Sequence, residues 1–443
     1  MNRILLTLAS FTGLFLSCQT ASATTADDIK SFTLDNGMKI MVLEDSSIPN
    51  ANMYLFWNVG SRNEVPGITG ISHFFEHMMF NGAEKYGPKM FDRTMEAAGG
   101  ANNAYTTENV TVYTNWFPTD SMEVIFDLEA DRIANLDIDE KMVESERGVV
   151  ISERTTGLEN SNWRTLQEEV KGVAFRAHPY SWSVIGHESD IEAWTLDDLV
   201  QYHRTYYAPN NGVVVMAGDV KYEEVKRLAE KYFGPIPAQA PPKEVKTVEP
   251  PQKGERRVYV QKASVSTPNI MFAYHVPATS HEDFYALDML SSILSQGNSS
   301  RLYQAMVEKQ IALEAQTYMP LAFDPNLFYV MAVADPKTPV DDLEKALISV
   351  INDISENGVS AEELEKVKNL KLMEFYRDME TINGKANTVG TYELFFDSYA
   401  DLFNAPEAYA KVSVEDIQRV AQTYLRKSNR TVGVLAAEED TDK

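Results

Sequence analysis

His73, Glu76 and His77 stand at positions i, i+3 and i+4 of Gly70-Ile-Ser-His-Phe-Phe-Glu-His-Met-Met-Phe80. The stretch reads as a helix, and at 3.6 residues per turn these three side chains share one face. Two imidazoles one turn apart can hold a single zinc ion, and a carboxylate beside them can work on the metal's water. The order His-x-x-Glu-His is the inverted form of the usual zinc-protease pattern. A buried helix with two core histidines is the plain alternative. A glutamate inside the pair and a second acidic helix downstream weigh against it.

A catalytic zinc takes three protein ligands and keeps a fourth position open. The third must come from another element, and with Cys18 the only cysteine it must be His, Asp or Glu. The stretch Asp139 to Thr155 is expected to be an amphipathic helix carrying Glu144, Glu146 and Glu153. Glu146 and Glu153 lie two turns apart on one face, with apolar Val149-Val-Ile151 between them. A partly buried face with repeated glutamates needs cationic partners. A zinc site supplies one, with Glu153 as the third ligand and Glu146 in support. Glu76 is then the general base, taking a proton from the activated water and passing it to the leaving amine.

The rest of the chain must position these groups. Asp35-Asn-Gly37 is a hairpin turn between Ser31–Leu34 and Met38–Leu43, and Ala51–Val59 is a second apolar strand. Six of the 19 prolines fall between Pro235 and Pro251, which suits an extended linker. Residues 24–234 are therefore expected as an N-terminal zinc-bearing domain, 235–254 as a linker and 255–443 as a C-terminal domain. The second domain repeats the first at an offset of 218: Thr195–Tyr207 matches Ser413–Leu425, and each copy is a capped helix leading into a strand. The same offset carries the zinc helix onto Ser291–Ser295, which has neither His nor Glu.

Met1-Asn-Arg3, the apolar run Ile4–Leu16 and Ala21-Ser-Ala23 read as a signal peptide ending at residue 23. Acylation at Cys18 is the rival reading. Export and a cysteine-free mature chain suit a periplasm. A net charge of −25 argues against nucleic acid as a partner. His178, His187, His203, His275 and His281 are given no metal.

Gly60-Ser-Arg-Asn-Glu64, the Gly70–Phe80 stretch with Asn81-Gly82, Asn103-Ala-Tyr-Thr106, Glu146 to Glu153, His178-Pro-Tyr180 and Tyr207-Ala-Pro-Asn-Asn211 together resemble the pitrilysin/insulinase family of zinc peptidases. The likeness is to its half-length members, such as the mitochondrial processing peptidase beta subunit and bacterial periplasmic relatives. It implies an α+β fold: two homologous domains, each an antiparallel-rich sheet packed with helices, facing each other across a chamber. It also implies one zinc held by His73, His77 and Glu153, with Glu76 as base and Glu146 as the accessory catalytic glutamate. The substrate would be an extended peptide or unfolded polypeptide, laid along an edge at Asn103, Ala104 and Tyr105. Many active members carry an Arg and a Tyr seven apart on the helix after a Ser-Arg-Leu motif. Here Ser300-Arg-Leu302 is followed by Val307 and Glu314 at those positions. Either the protein works without that pair or a partner subunit supplies it; the resemblance thus implies a dimer, either of two copies or with a related subunit without zinc. A non-catalytic scaffold or peptide-capturing subunit of the same fold is the alternative.

Overall fold

The computed structural model describes residues 24–437. The signal peptide expected over residues 1–23, with Cys18, lies outside the described residues. Two sheets organise the chain. The first is built from β1 (Ile29–Thr33), β2 (Lys39–Glu44), β3 (Asn50–Trp57), β4 (Ala101–Thr106), β5 (Thr111–Pro118) and β6 (Gly212–Gly218), in the order β1-β2-β6-β3-β5-β4. The second holds β7 (Arg256–Gln261), β8 (Asn269–Val276), β9 (Ala312–Tyr318), β10 (Asn326–Ala334) and β11 (Arg430–Ala436), in the order β7-β11-β8-β10-β9. Without β1 the two orders coincide. Each sheet has one parallel pair, β2 with β6 and β7 with β11, in corresponding places. Two homologous domains follow from this topology. The hairpin at Asp35-Asn-Gly37 forms as expected, with Gly37 at φ 87°.

The helices of the first half are α1 (Ile71–Met78), α2 (Met90–Ala97), α3 (Met122–Ala134), α4 (Glu140–Asn160), α5 (Asn162–Ala174), α6 (Glu188–Ala193), α7 (Leu196–Tyr206) and α8 (Tyr222–Tyr232). Those of the second are α9 (Phe284–Ser295), α10 (Val340–Asn357), α11 (Ala361–Asp378), α12 (Ile382–Phe395), α13 (Asp401–Lys411) and α14 (Val414–Tyr424). Residues 237–255 form neither helix nor strand.

One face of each sheet packs on its own half's helices. The other face is covered by a helix from the opposite half. On the first sheet Tyr54, Phe56, Val112 and Val215 pack with Ile382, Ala386 and Val389 of α12. On the second, Met271, Tyr329 and Leu435 pack with Leu166, Val170 and Ala174 of α5. Both contacts close over a glycine. A Cβ on Gly390 of α12 would sit 2.1 Å from the Phe56 ring, and one on Gly433 of β11 would sit 2.3 Å from Val170. The halves also meet where the β4–β5 and β9–β10 hairpin turns touch. Asn109 donates to the Leu321 carbonyl (3.2 Å) and accepts from the Phe323 amide (3.1 Å). Arg62 pairs with Asp324 at 2.6 Å, and His178 Nε2 lies 3.3 Å from the same carboxylate. Arg62 of the Gly60–Glu64 motif and His178 of His178-Pro-Tyr180 thus join the halves.

Candidate metal centre

The zinc helix begins at a position only glycine suits. Gly70 caps α1 at φ 85°, and a Cβ there would lie 2.3 Å from the Ile185 carbonyl oxygen. The exposed amides of the first turn are met by Glu64, whose carboxylate accepts from Gly70 N–H (2.8 Å) and Ser72 N–H (2.9 Å). Burial pushes the Glu64 carboxyl up to about 8, against the pull of these donors and of Trp182. Ile71, Phe74, Phe75 and Met78 anchor the apolar side of α1 in the first core. His73, Glu76 and His77 are left on the other, half-buried side.

The acidic helix is longer than the sequence suggests, running to Asn160, and Asp139 caps it by accepting from the amides of Lys141 and Met142. It crosses α1 so that Glu153 Oε2 lies 3.7 Å from His73 Nε2 and 3.5 Å from His77 Nε2. One ligand atom from each residue lies within 4.8 Å of the other two. A tetrahedral zinc with bonds of ~2.0–2.1 Å sets its ligands ~3.4 Å apart, so this triad fits the ion. Among the described residues no other set of three His, Asp or Glu side chains converges in this way.

Glu146 stands behind the triad. His77 Nδ1 donates to its Oε1 (2.8 Å), and Asn81 donates to its Oε2 (2.8 Å). This orients His77 with Nε2 toward Glu153, the usual way a carboxylate fixes a ligating imidazole. His73 Nδ1 is buried without a partner among the described residues. Without metal the imidazoles diverge. Burial first, then the neighbouring His77, pushes His73 down to about 4. Burial also opposes the charge of His77, but Glu146 and Glu153 overcome it and raise it to about 9. Glu153 is held low, first by its contact with His77 and in smaller part by the nearby Arg164.

Glu76 is tied to the first sheet. Thr106 Oγ1, at the end of β4, donates to its Oε2 at 2.6 Å. Burial raises the Glu76 carboxyl, and the Thr106 bond offsets part of the rise. A carboxylate held above its ordinary range by burial is better suited to take up a proton.

β4 pairs only with β5, so its other edge is unpaired among the described residues. Ala104 leans against the first core, while Asn103 and Tyr105 are exposed. The Tyr105 hydroxyl lies 3.5 Å from Asn387 of α12. Beside the triad a cavity of about 270 Å³ opens between α4, α5 and residues 183–185.

One sequence expectation changes. The positions matching the Arg/Tyr pair do not share a helix: Val307 ends a π-helical turn, whereas Glu314 lies on β9. Arg301 of the Ser-Arg-Leu motif is tied to Glu363 (2.9 Å) and the Gly358 carbonyl (3.3 Å), which is a structural role. Thr106 and Asn81 join the site although sequence reasoning gave them no role. Both were within reach, since Thr106 ends the motif quoted for the substrate edge and Asn81 closes the quoted stretch one turn after His77.

Residues 39–188 match the model of the insulinase family (peptidase family M16), and residues 193–371 match that of the peptidase M16 inactive domain. The zinc protease PqqE of Helicobacter pylori is 30% identical over 416 residues, covering 92% of each chain. The crystal structure of a protease from Helicobacter pylori superposes with a TM-score of 0.89 at 29% identity, covering 92% of this chain and 99% of that one. The periplasmic protease PqqL of Escherichia coli shares the fold at a TM-score of 0.78 and 20% identity; the match covers 94% of this chain but 48% of that longer one. Its core motifs, its paired sheets and these matches make the chain a member of the insulinase family, peptidase family M16.

Proposed function

We propose that the chain is a zinc metalloendopeptidase that hydrolyses extended peptides or unfolded polypeptides. The observation that carries this reading is the convergence of His73, His77 and Glu153 beside a Glu76 held by Thr106. His73, His77 and Glu153 would hold one zinc per chain. Zinc bound there would lower the pKa of a coordinated water and polarise the scissile carbonyl. Glu76 accepts the proton of the attacking water and returns it to the leaving amine, with Thr106 fixing the carboxylate. Glu146 keeps His77 in the ligating tautomer. The peptide adds as a strand along Asn103, Ala104 and Tyr105, an arrangement that reads backbone and tolerates varied side chains.

The chain corresponds to about half of PqqL, and neither Val307 nor Glu314 can act as the family's Arg/Tyr pair. Both points support a dimer with a related subunit without zinc. Residues 24–234 and 255–443 form the two domains on this reading, joined by 235–254. The apolar N-terminal run and the periplasmic neighbour support export to the periplasm. The test is metal content together with cleavage of an unstructured protein, by the chain alone and with whatever subunit co-purifies. Zinc near one per chain and cleavage abolished by Glu76→Gln are expected. Zinc bound without cleavage in either preparation would favour a scaffold or peptide-capturing subunit instead.

A further inference from the structure

The cavity beside the triad has charged walls, and nearly all of its charge is already spent. Arg154 lies against Glu168 with two hydrogen bonds, at 3.0 and 2.6 Å. Lys171 pairs with Glu108 at 2.7 Å. Glu153 faces the two histidines. The remaining charged residue of the lining is Arg164, whose guanidinium has no ion pair or hydrogen bond among the described residues. It is held in place all the same. Arg164 lies flat over Gly157 of α4, where a Cβ would come within 2.8 Å of its Nη1. A positioned, exposed and unmatched guanidinium at the mouth of a pocket is a ready carboxylate receptor. Leu158, Val184 and Ile185 line the same cavity and would cover an aliphatic stem.

We infer that Arg164 is a specificity residue, which reads a glutamate side chain of the substrate seated in this cavity next to the scissile bond. The inference rests on the peptidase reading. With Glu153 committed to the metal, the pocket carries one net positive charge, and a glutamate entering it completes a third ion pair. Glutamine would fill the same space without the charge, and lysine would be repelled.

The test is a peptide series in which one residue, walked along an otherwise constant sequence, is Glu, Gln or Lys. The zinc-loaded protein is used with any subunit that co-purifies. At one position near the cleaved bond, Glu should raise kcat/KM over Gln by about threefold to tenfold, and Lys should lower it. Arg164→Gln should erase the difference while leaving the Gln peptide within about twofold, and Arg164→Glu should reverse the preference toward Lys. A merely structural Arg164 would lower all three peptides together, and that result overturns the inference. So does cleavage by the wild type with no preference at any position, which leaves the peptidase reading intact. Should no peptide be cut, the peptidase reading fails. The same Glu/Gln comparison is then made by fluorescence anisotropy on the zinc-loaded protein, where equal affinities overturn Arg164 as a glutamate reader and a threefold or greater gap lost in Arg164→Gln sustains that role for a captured, uncut peptide.

Discussion

α1 and α9 occupy equivalent places over the two sheets, as do α4 and α11, yet their polar groups solve opposite problems. The 218-residue offset sets Ser291 against His73, Leu294 against Glu76, Ser295 against His77 and Lys371 against Glu153. In the second half the hydroxyls of Ser291 and Ser295 each lie 2.7 Å from Thr317 Oγ1 on β9. Thr106, on the matching edge strand of the first half, instead holds Glu76. Lys371 lies 2.9 Å from Asp288 and 3.2 Å from Glu374, and Tyr409 donates to Asp288 at 2.6 Å. The second half therefore satisfies this region with its own side chains. The first leaves His73 Nδ1 unpartnered and drives two neighbouring imidazoles apart in pKa. The scaffold needs no metal to bury these helices, and the unbalanced group in the first half is the feature on which the proposed chemistry rests.

The largest effect should come from Glu76, the member of the first set that the proposal assigns to the proton and not to the metal. Glu76→Gln keeps the shape and the Thr106 contact but removes the base. Peptide cleavage should fall by about a thousandfold, while bound zinc, measured by elemental analysis, stays near the wild-type amount. Zinc lost together with activity would place Glu76 among the ligands. Leu294, its counterpart, has no proton to move, and Leu294→Ala should alter stability alone.

Glu146 tests the support behind the triad. Glu146→Gln leaves His77 Nδ1 with a neutral acceptor, and zinc affinity in competition with a chelating dye should weaken by about tenfold to a hundredfold. Its counterpart by offset is Leu364, a buried core residue, so the support has no equivalent where there is no metal. An unchanged affinity would mean that His77 is oriented by packing on α1 alone.

Much of this contrast is legible in the sequence because it depends on residue type at fixed spacing. Helical periodicity sets His73, Glu76 and His77 on one turn and Glu146 and Glu153 on one face, and the family resemblance points to Glu153 as the third ligand. The repeat is legible for the same reason, since capped helices followed by strands recur at one offset. What sequence reading misses is the exchange of α5 and α12. α12 is buried on several sides, with Ile382, Lys385, Ala386, Val389 and Gly390 all inside, so no single apolar stripe marks it. α5 does carry Leu166, Val170 and Ala174 at helical spacing, but nothing in that period says that the face belongs to the other half's sheet. Arg164 is missed likewise: a lone arginine on a charged helix stands out only once its neighbours are seen to be paired among themselves.

On the side without metal, Lys371 is the group to remove. It stands where Glu153 stands, and burial works against its charge while Asp288 and Glu374 raise its pKa. Lys371→Met strands those carboxylates beside an apolar chain. The loss should be about 1–3 kcal/mol in denaturant unfolding, with zinc content unchanged. A variant that also loses zinc would show that the two sites are coupled through the exchanged helices.

The smallest effect belongs to Arg301, and it separates charge from packing in the second half. Its guanidinium holds Glu363 down to about 2, chiefly through their hydrogen bonds, with the amide and hydroxyl of Ser360 adding to the pull. An unfolded glutamate titrates near ~4.3. The folded state therefore gains from this carboxylate at every pH above ~5, and the gain is lost as pH falls from there toward 2. Arg301→Met should cost about 1–2 kcal/mol between pH 6 and 8, since the pair is partly exposed. The gap to wild type should hold to pH 5, narrow through pH 4 and 3, and nearly close by pH 2. A gap that persists at pH 2 would assign the cost to the buried stem of Arg301 and not to its charge. Because this pair lies outside the metal set, chelation of zinc should lower both proteins alike and leave the gap between them unchanged.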